Sequence, residues 1–593
     1  MRITSFATAA LAVWPLVAAG AGAPLAFRTV DLQDARRQID SYSQVDTRAA
    51  MWIWTDKYVY QPGEPITVRW TIKPNDDLYP YTLVAFHQNN QTGTRSYLPG
   101  NDTTPTDIFG NTVEQGFRIV RLPAAEKGVL AGEGGSVAST ALTAPGELGM
   151  HTIVVQLRDY TGTRVVKAAY FKFGVVSAIE DLPSSINENR TLTNDRAYRV
   201  QGIVAVRNNA VLTIEPGTFI IGMPGSQPPS VLLVTTQGRL IANGTRSRPI
   251  IMTSSQPLGQ RQRGDWGGLL LLGTAPLNDP SGQLTIEGLP EMPETRYGGS
   301  NADHNCGTLR YVRVEFAGAL LRPNEETNSF TWGGCGKATT SEYLQAHYGL
   351  DDSFEWFGGN NDAKYLVGTY GADDYVDVQI GYNGRVQHVV AVANEDLSNR
   401  AVETDNYERD FAARPLGKLN LWNATFVGSA ARGFDESDSP CLYFRRGAGG
   451  STNNVICYNW TTRAFGGSDF SSIQPHIDSG DFTADGILMW DNGKESGRAN
   501  SLDAQVQDVF LPFASGGQQG RNFVVADPML RRPLERSDPD FRPMLGSPVY
   551  RATWVQPPDD GFFDQTANYI GAFGDYDWTE EWTTFIQEQD LRP

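Results

Sequence analysis

Tyr343-Leu-Gln-Ala-His-Tyr-Gly-Leu-Asp-Asp352, Tyr365-Leu-Val-Gly-Thr-Tyr-Gly-Ala-Asp-Asp374 and Gln387-His-Val-Val-Ala-Val-Ala-Asn-Glu-Asp396 begin 22 residues apart each time. Each window is a five- or six-residue β-run that leads into a turn carrying two acids. A second run follows the first two, Phe354-Glu-Trp-Phe-Gly358 and Val376-Asp-Val-Gln-Ile-Gly381. No helical pattern separates the runs. A unit this short cannot bury its apolar side alone and must stack on its neighbours, so the repeat predicts a solenoid with one coil per unit.

Working outward, the same grammar recurs on both sides. Upstream lie Tyr198-Arg-Val-Gln-Gly-Ile-Val-Ala-Val206, Ala210-Val-Leu-Thr-Ile-Glu-Pro-Gly-Thr-Phe-Ile-Ile-Gly222 and Arg248-Pro-Ile-Ile-Met-Thr-Ser254. Downstream, Leu419-Asn-Leu-Trp-Asn-Ala-Thr-Phe-Val-Gly428 and Asn454-Val-Ile-Cys-Tyr458 form later coils separated by longer excursions. The stretch from Leu212 to Ser254 resembles the opening coils of secreted right-handed parallel β-helix proteins, the pectin-lyase-like architecture. Asp265-Trp-Gly-Gly-Leu-Leu-Leu-Leu-Gly-Thr-Ala-Pro276 and Gly307-Thr-Leu-Arg-Tyr-Val-Arg-Val-Glu-Phe-Ala-Gly318 extend the likeness. The resemblance spans residues 198–470 and implies an exported, microbial β-helix protein. It carries no catalytic residue with it: the Asn-Thr-Asp and Gly-His-Gly patterns of glycoside hydrolases on this fold are absent, as are pectate-lyase signatures. Fold likeness alone does not give activity.

The flanks differ. Met1-Arg2, a short apolar run and Ala21-Gly22-Ala23 have the form of a secretory signal peptide over residues 1–23. Residues 24–48 are polar and charged, a linker. Residues 49–178 alternate with period two between Pro-Gly and Thr-Gly turns, which predicts an antiparallel β-sandwich. The turn from Thr55 to Glu64 resembles the opening of immunoglobulin-like or macroglobulin-like modules. The solenoid is expected over 190–480. Residues 481–593 are non-repetitive and end in an aromatic block, expected to cap the last coils and protect their open edge. In the alternative reading, Trp578 and Trp582 form a sugar-stacking platform.

With 49 Lys+Arg against 67 Asp+Glu the formal net charge is −18, which argues against a nucleic-acid partner, since phosphate needs clustered cations. No run approaches a membrane-spanning length after the leader. The four cysteines form two local pairs. In an oxidising compartment the economical reading is disulfides Cys306–Cys335 and Cys441–Cys457. A four-thiolate zinc site lacks any Cys-x-x-Cys spacing.

Coil-on-coil stacking sets equivalent residues about 4.8 Å apart. The repeat then places Asp351, Asp373 and Glu395 in one column, Asp352, Asp374 and Asp396 in a second, and Glu355 and Asp377 in a third. At an effective dielectric near 20, each adjacent ionised pair costs about 3 kcal/mol. Three readings follow. The acids cap turn N–H groups. Or Asp351, Asp352, Asp373, Asp374, Glu395 and Asp396 hold Ca2+, a hard cation that takes oxygen ligands. Or Asp352, Asp374 and Asp377 act as general acid and base, with Arg385 or Arg400 beside them. The sequence therefore points to an exported surface or matrix protein that binds polysaccharide or a cell-surface partner through a β-face with a Ca2+ site. The alternative is a polysaccharide lyase or hydrolase built on the same acids.

Overall fold

A computed structural model describes residues 50–73, 82–97, 138–158, 165–322, 325–394, 399–429, 439–493, 501–507, 510–511, 520–552 and 554–591. The expected leader and linker lie outside the described residues, as do Glu395 and Asp396. Among the described residues no helix is long and apolar enough to cross a membrane.

The chain is a parallel β-helix preceded by two antiparallel-dominated sheets. A three-stranded sheet (Ala50–Thr55, Pro65–Lys73, Ala138–Thr143) faces a five-stranded one built around Gly149–Arg158 and Val165–Val175. Trp54, Ile66 and Val68 from the first share one core with Ile153, Phe171 and Phe173 from the second. Burying an apolar stripe between two sheets is what period-two alternation demands.

The β-helix consists of a ten-stranded parallel sheet of short strands and a longer parallel sheet. In the early coils the longer sheet is two separate strands per coil, for example Arg239–Asn243 and Ile250–Ser254. Both then pair with a single strand, Gly307–Glu315. From that coil onward the strand turns a corner at one left-handed residue: Tyr311, Tyr343, Tyr365, His388, Asn423 and Asn454 have φ of 48°, 56°, 59°, 60°, 54° and 56°. A left-handed residue inside a strand redirects it without breaking the ladder on either side. Each coil therefore has three faces.

Alternation sorts the short strands. Phe330, Trp332, Phe354, Trp356, Val376 and Val378 point inward and stack coil on coil, Trp332 lying 4.5 Å from Trp356. Leu270 and Leu272 point outward and are covered by Ile286, Leu289 and Tyr297 from the excursion between coils. The disulfides Cys306–Cys335 and Cys441–Cys457 are both formed, buried inside the solenoid.

Three expectations need correction. The repeat is not a uniform 22: Leu344 pairs with Leu366, but Leu366 pairs with Val389, a step of 23. One extra residue enters at the Gly381–Gly384 turn, so the third window is displaced by one position from the columns drawn above. The stack also continues past residue 480, since Phe482–Trp490 and Gly520–Val525 add two more parallel strands. Finally, the terminal block reaches beyond the last coils: Tyr569 and Ile570 pack on Ile456 and Leu488 there as expected, but the rest runs along the side of the stack. Trp578 and Trp582 lie against Tyr365 and Tyr343 on the outer face of the long sheet, 6% and 0% exposed. That face carries a row of stacked rings, Tyr311, Tyr343 and Tyr365, and the two tryptophans pack edge-on against it. Burial also removes both tryptophans as a sugar platform.

Candidate functional site

The site lies on the outer face of the short sheet. Because Phe354 and Trp356 must point inward, Glu355 points outward. The same alternation turns Asp377 outward between Val376 and Val378. Register places Thr331, Glu355, Asp377 and Glu403 in one column. The third expected column is thus present and gains Glu403, which the 22-residue spacing missed because 26 residues separate it from Asp377.

A second contributor comes from outside the repeat. Ile286 and Leu289 bury themselves on Leu270 and Leu272, and this packing holds the intervening Glu287 over Glu355. Asn328, fully buried, ties the parts together. Its Nδ2 donates to Glu355 and, at 3.4 Å, to Glu287 Oε1, while its Oδ1 accepts from Asp352 N at 3.0 Å. Gln379 Nε2 donates to Glu355 Oε1 at 2.8 Å. Glu287 has no sequence signal, since it sits in no repeat unit. Asn328 stands at the Asp352 position one coil earlier, but 24 residues separate the two and the 22-residue spacing misses it.

The second column of acids behaves as the capping reading expects. Asp352 Oδ1 accepts from Asp374 N at 2.9 Å, and Asp374 Oδ1 accepts from Arg400 N at 2.7 Å. Each carboxylate thereby satisfies a turn N–H of the next coil. Asp351 and Asp373 are half-buried at the rim.

The two ends of the site differ in charge balance. At one end Arg400 pairs with Glu403, lies 3.8 Å from Asp374 and stacks 4.2 Å over the Tyr443 ring. Arg445 pairs with Glu403 and reaches Asp405 at 2.7 Å, as does Arg446. At the other end, no ion pair among the described residues falls on Asp352, Glu355 or Asp377. Asp377 Oδ1 is buried without a hydrogen-bond partner, a costly state for a carboxylate. Arg385 is elsewhere: it pairs with Asp362 and, at 2.7 Å, with Asp560 of the C-terminal segment. Of the two expected arginines only Arg400 belongs to the site.

Burial drives the titration behaviour. It raises Asp352 well above the ordinary carboxylate range, with Glu355, Asp351 and Asp377 adding to the effect. Glu355 is raised by burial, then by Glu287 and Asp377, and Asp377 by burial, then by Glu403 and Asp405. Glu287 is pushed up to about 7 by burial, against the help of its hydrogen bonds to Glu355 and Asn328. Carboxyls this close must hold protons, take up a cation, or both.

The donor geometry fits a hard divalent cation. Oxygens of Asp352, Glu355 and Asp377 lie within 4.8 Å of one another, and so do those of Asp351, Asp352 and Asp373. Asp352 belongs to both trios. Carboxylate donors with backbone and amide oxygens nearby are the set that hard divalent cations take.

A family model for the pectate-lyase-like β-helix domain matches residues 184–517, more than half of the chain. The chain belongs to this family. The pectate-lyase-like β-helix match includes every residue of the site described above. No curated protein matches. A solved chitin-binding domain from Burkholderia pseudomallei aligns at 14% identity over 20% of this chain and 55% of its own length, with a TM-score of 0.11. A likeness at that score carries no argument.

Proposed function

We propose that this protein binds polysaccharide along the outer face of its short sheet, with a divalent cation of calcium type held by Asp352, Glu355 and Asp377. The supporting observation is the unpartnered, buried Asp377 Oδ1 among unneutralised carboxylates. A cation there would satisfy that oxygen and offset the mutual repulsion, and would present open coordination positions to sugar hydroxyls or carboxylates from the rim at Asp351 and Asp373. Two disulfides favour an oxidising compartment, which supports export to the cell surface or exterior. The net charge of −18 speaks against nucleic acid as the partner.

Calorimetric titration of the purified protein with calcium, before and after chelation, tests the cation. A glycan panel with and without calcium then tests the ligand. Calcium binding abolished by Asp377→Asn supports the assignment, and wild-type binding retained in that variant overturns it.

A specific observation also favours a second reading, general acid–base cleavage. Glu287, pushed up to about 7 by burial, is hydrogen-bonded to Glu355 and keeps a small solvent-facing edge, which suits a proton donor to a glycosidic oxygen. Reducing ends or unsaturated uronate absorbance appearing on the same panel, and lost in Glu287→Gln, would establish this reading over binding alone.

A further inference from the structure

The outer face of the long sheet is occupied by the chain's own C-terminal segment, and it is held as an extended peptide is held. Two side-chain amides each grip both backbone groups of one residue. Asn454 Oδ1 accepts from Val555 N at 2.8 Å while its Nδ2 donates to Val555 O at 2.7 Å. Gln345 Oε1 accepts from Thr584 N at 2.9 Å while its Nε2 donates to Thr584 O at 2.5 Å. Gln387 Oε1 accepts from Asp564 N and Asn423 Nδ2 donates to Tyr569 O. These groups sit on four coils of the long sheet, with the coil of Ala363–Thr369 between those of Gln345 and Gln387. They form a ladder of backbone-directed donors and acceptors beside the stacked rings of Tyr311, Tyr343 and Tyr365, whose centroids are 4.4 and 4.3 Å apart.

Past this ladder the segment enters the N-terminal sandwich. Leu591 lies in the sandwich core, with Ile586 packed beside it. Glu588 pairs with Arg261 at 3.3 Å, and the Arg261 guanidinium lies 4.6 Å over the ring of Tyr58, a sandwich residue. Slightly earlier in the chain, Asp538 accepts from Met51 N at 2.9 Å and pairs with Lys167 at 2.5 Å. Tyr170 OH donates to Glu580 at 3.2 Å. Both sheets of the sandwich thus contact residues that lie more than 360 positions later in the sequence.

We propose that the long-sheet face is a peptide-binding surface whose ligand is this chain's own C-terminal segment, and that docking of this segment locks the sandwich onto the solenoid. The amide ladder reads main chain and not side-chain identity. Trp578 and Trp582 provide apolar anchors, and the carboxylates of Asp538 and Glu588 provide the polar ones. The physical logic is one of order. The sandwich already touches the first coils, Met150 and Val176 packing with Phe219 and Ile251 and Asn90 and Lys172 donating to Ser247 O. The segment cannot seat until the coils bearing Gln345, Gln387, Asn423 and Asn454 have stacked, so this second attachment of the sandwich is added only after the solenoid is built.

The test uses the full-length protein with a protease recognition sequence inserted between Pro558 and Asp559, both exposed, and cut after folding. The C-terminal fragment should co-elute with the rest of the chain on size exclusion. Combining the cut with Gln345→Leu and Glu588→Gln should release it and raise amide exchange at Tyr170–Phe173, the sandwich strand that Glu580, Glu581 and Leu591 of the fragment contact, at least tenfold, with exchange at Val376–Gln379 unchanged. Release of the fragment with Tyr170–Phe173 still protected overturns the lock, and retention in the double variant overturns the recognition ladder. Should that variant fail to fold, the cut wild-type chain in stepwise urea decides. Fragment release and sandwich exposure must occur together and before the solenoid opens, and any other order refutes the proposal.

Discussion

Replacing Asp377 with Asn keeps the size and shape of the side chain and removes one negative charge from the site. For a buried, hydrogen-bonded carboxylate this change ordinarily destabilises. Here the sign reverses when cations are absent. Asp377 Oδ1 has no donor to lose, while carboxylate oxygens of Asp352 and Glu355 lie within 4.8 Å. At an effective dielectric of about 20, one ionised neighbour at that distance costs about 3 kcal/mol. Holding a carboxyl protonated at pH 8 costs at least as much, about 1.4 kcal/mol for each pH unit above its ordinary range. Relief of about 3 kcal/mol in a cooperative unit of about 340 residues, with an unfolding entropy near 0.7 kcal/mol per kelvin, raises the melting temperature by about 4 °C. Calorimetry at pH 8 in chelator should show that rise. In millimolar calcium the order should invert, because the wild type gains stability from the bound ion and the variant does not. A variant that melts lower than wild type in chelator, or gains as much from calcium, refutes both the charge argument and the ligand assignment.

Stability of the cation-free protein should fall between pH 6.5 and 8. Glu287 titrates near 7 when folded and near 4.3 when unfolded, so the folded state binds more protons in this window. Its contribution is complete below about 4 and is lost as pH rises through about 7. The buried histidines His87 and His347 are lowered by burial. They act in the opposite direction, but only below about 6.5, so the window isolates the carboxyls. Glu403 is likewise pushed up to about 7 by burial, so Glu287→Gln should reduce the slope without abolishing it, and a flat wild-type profile or an undiminished slope in the variant contradicts the assignment. Glu315→Gln would leave Arg261 and Arg313, 2% and 4% exposed, without their shared carboxylate. The expected loss is about 3–5 kcal/mol in urea unfolding, and a loss below about 1 kcal/mol would show that the arginines find other partners. Cys441 and Cys457 close a loop of 16 residues, and removing the bridge as a Cys→Ser pair should cost about 3 kcal/mol. An unchanged urea midpoint would place the stability of these coils entirely in their packing.

The 22-residue spacing, strict inward alternation in Phe354–Phe357 and Val376–Gln379, and the local cysteine pairs follow from covalent geometry and apolar periodicity alone. These determined a β-helix, the column shared by Glu355 and Asp377, and the disulfide pairing. Capping by Asp352 and Asp374 was equally legible, because it needs only one residue and its counterpart a coil later. What the periodicity could not carry was anything set by an insertion or an excursion. The extra residue near Gly381–Gly384 shifts the third window. A step of 26 brings Glu403 into the column. Glu287 arrives through a loop whose course depends on where Ile286 and Leu289 find apolar surface, and Asn328 stands one coil before Asp352 at an irregular step of 24 residues. The destination of Trp578 and Trp582 was hidden for the same reason. A segment without a repeat takes its place from the surface left uncovered by the others, and that surface exists only once the coils have stacked.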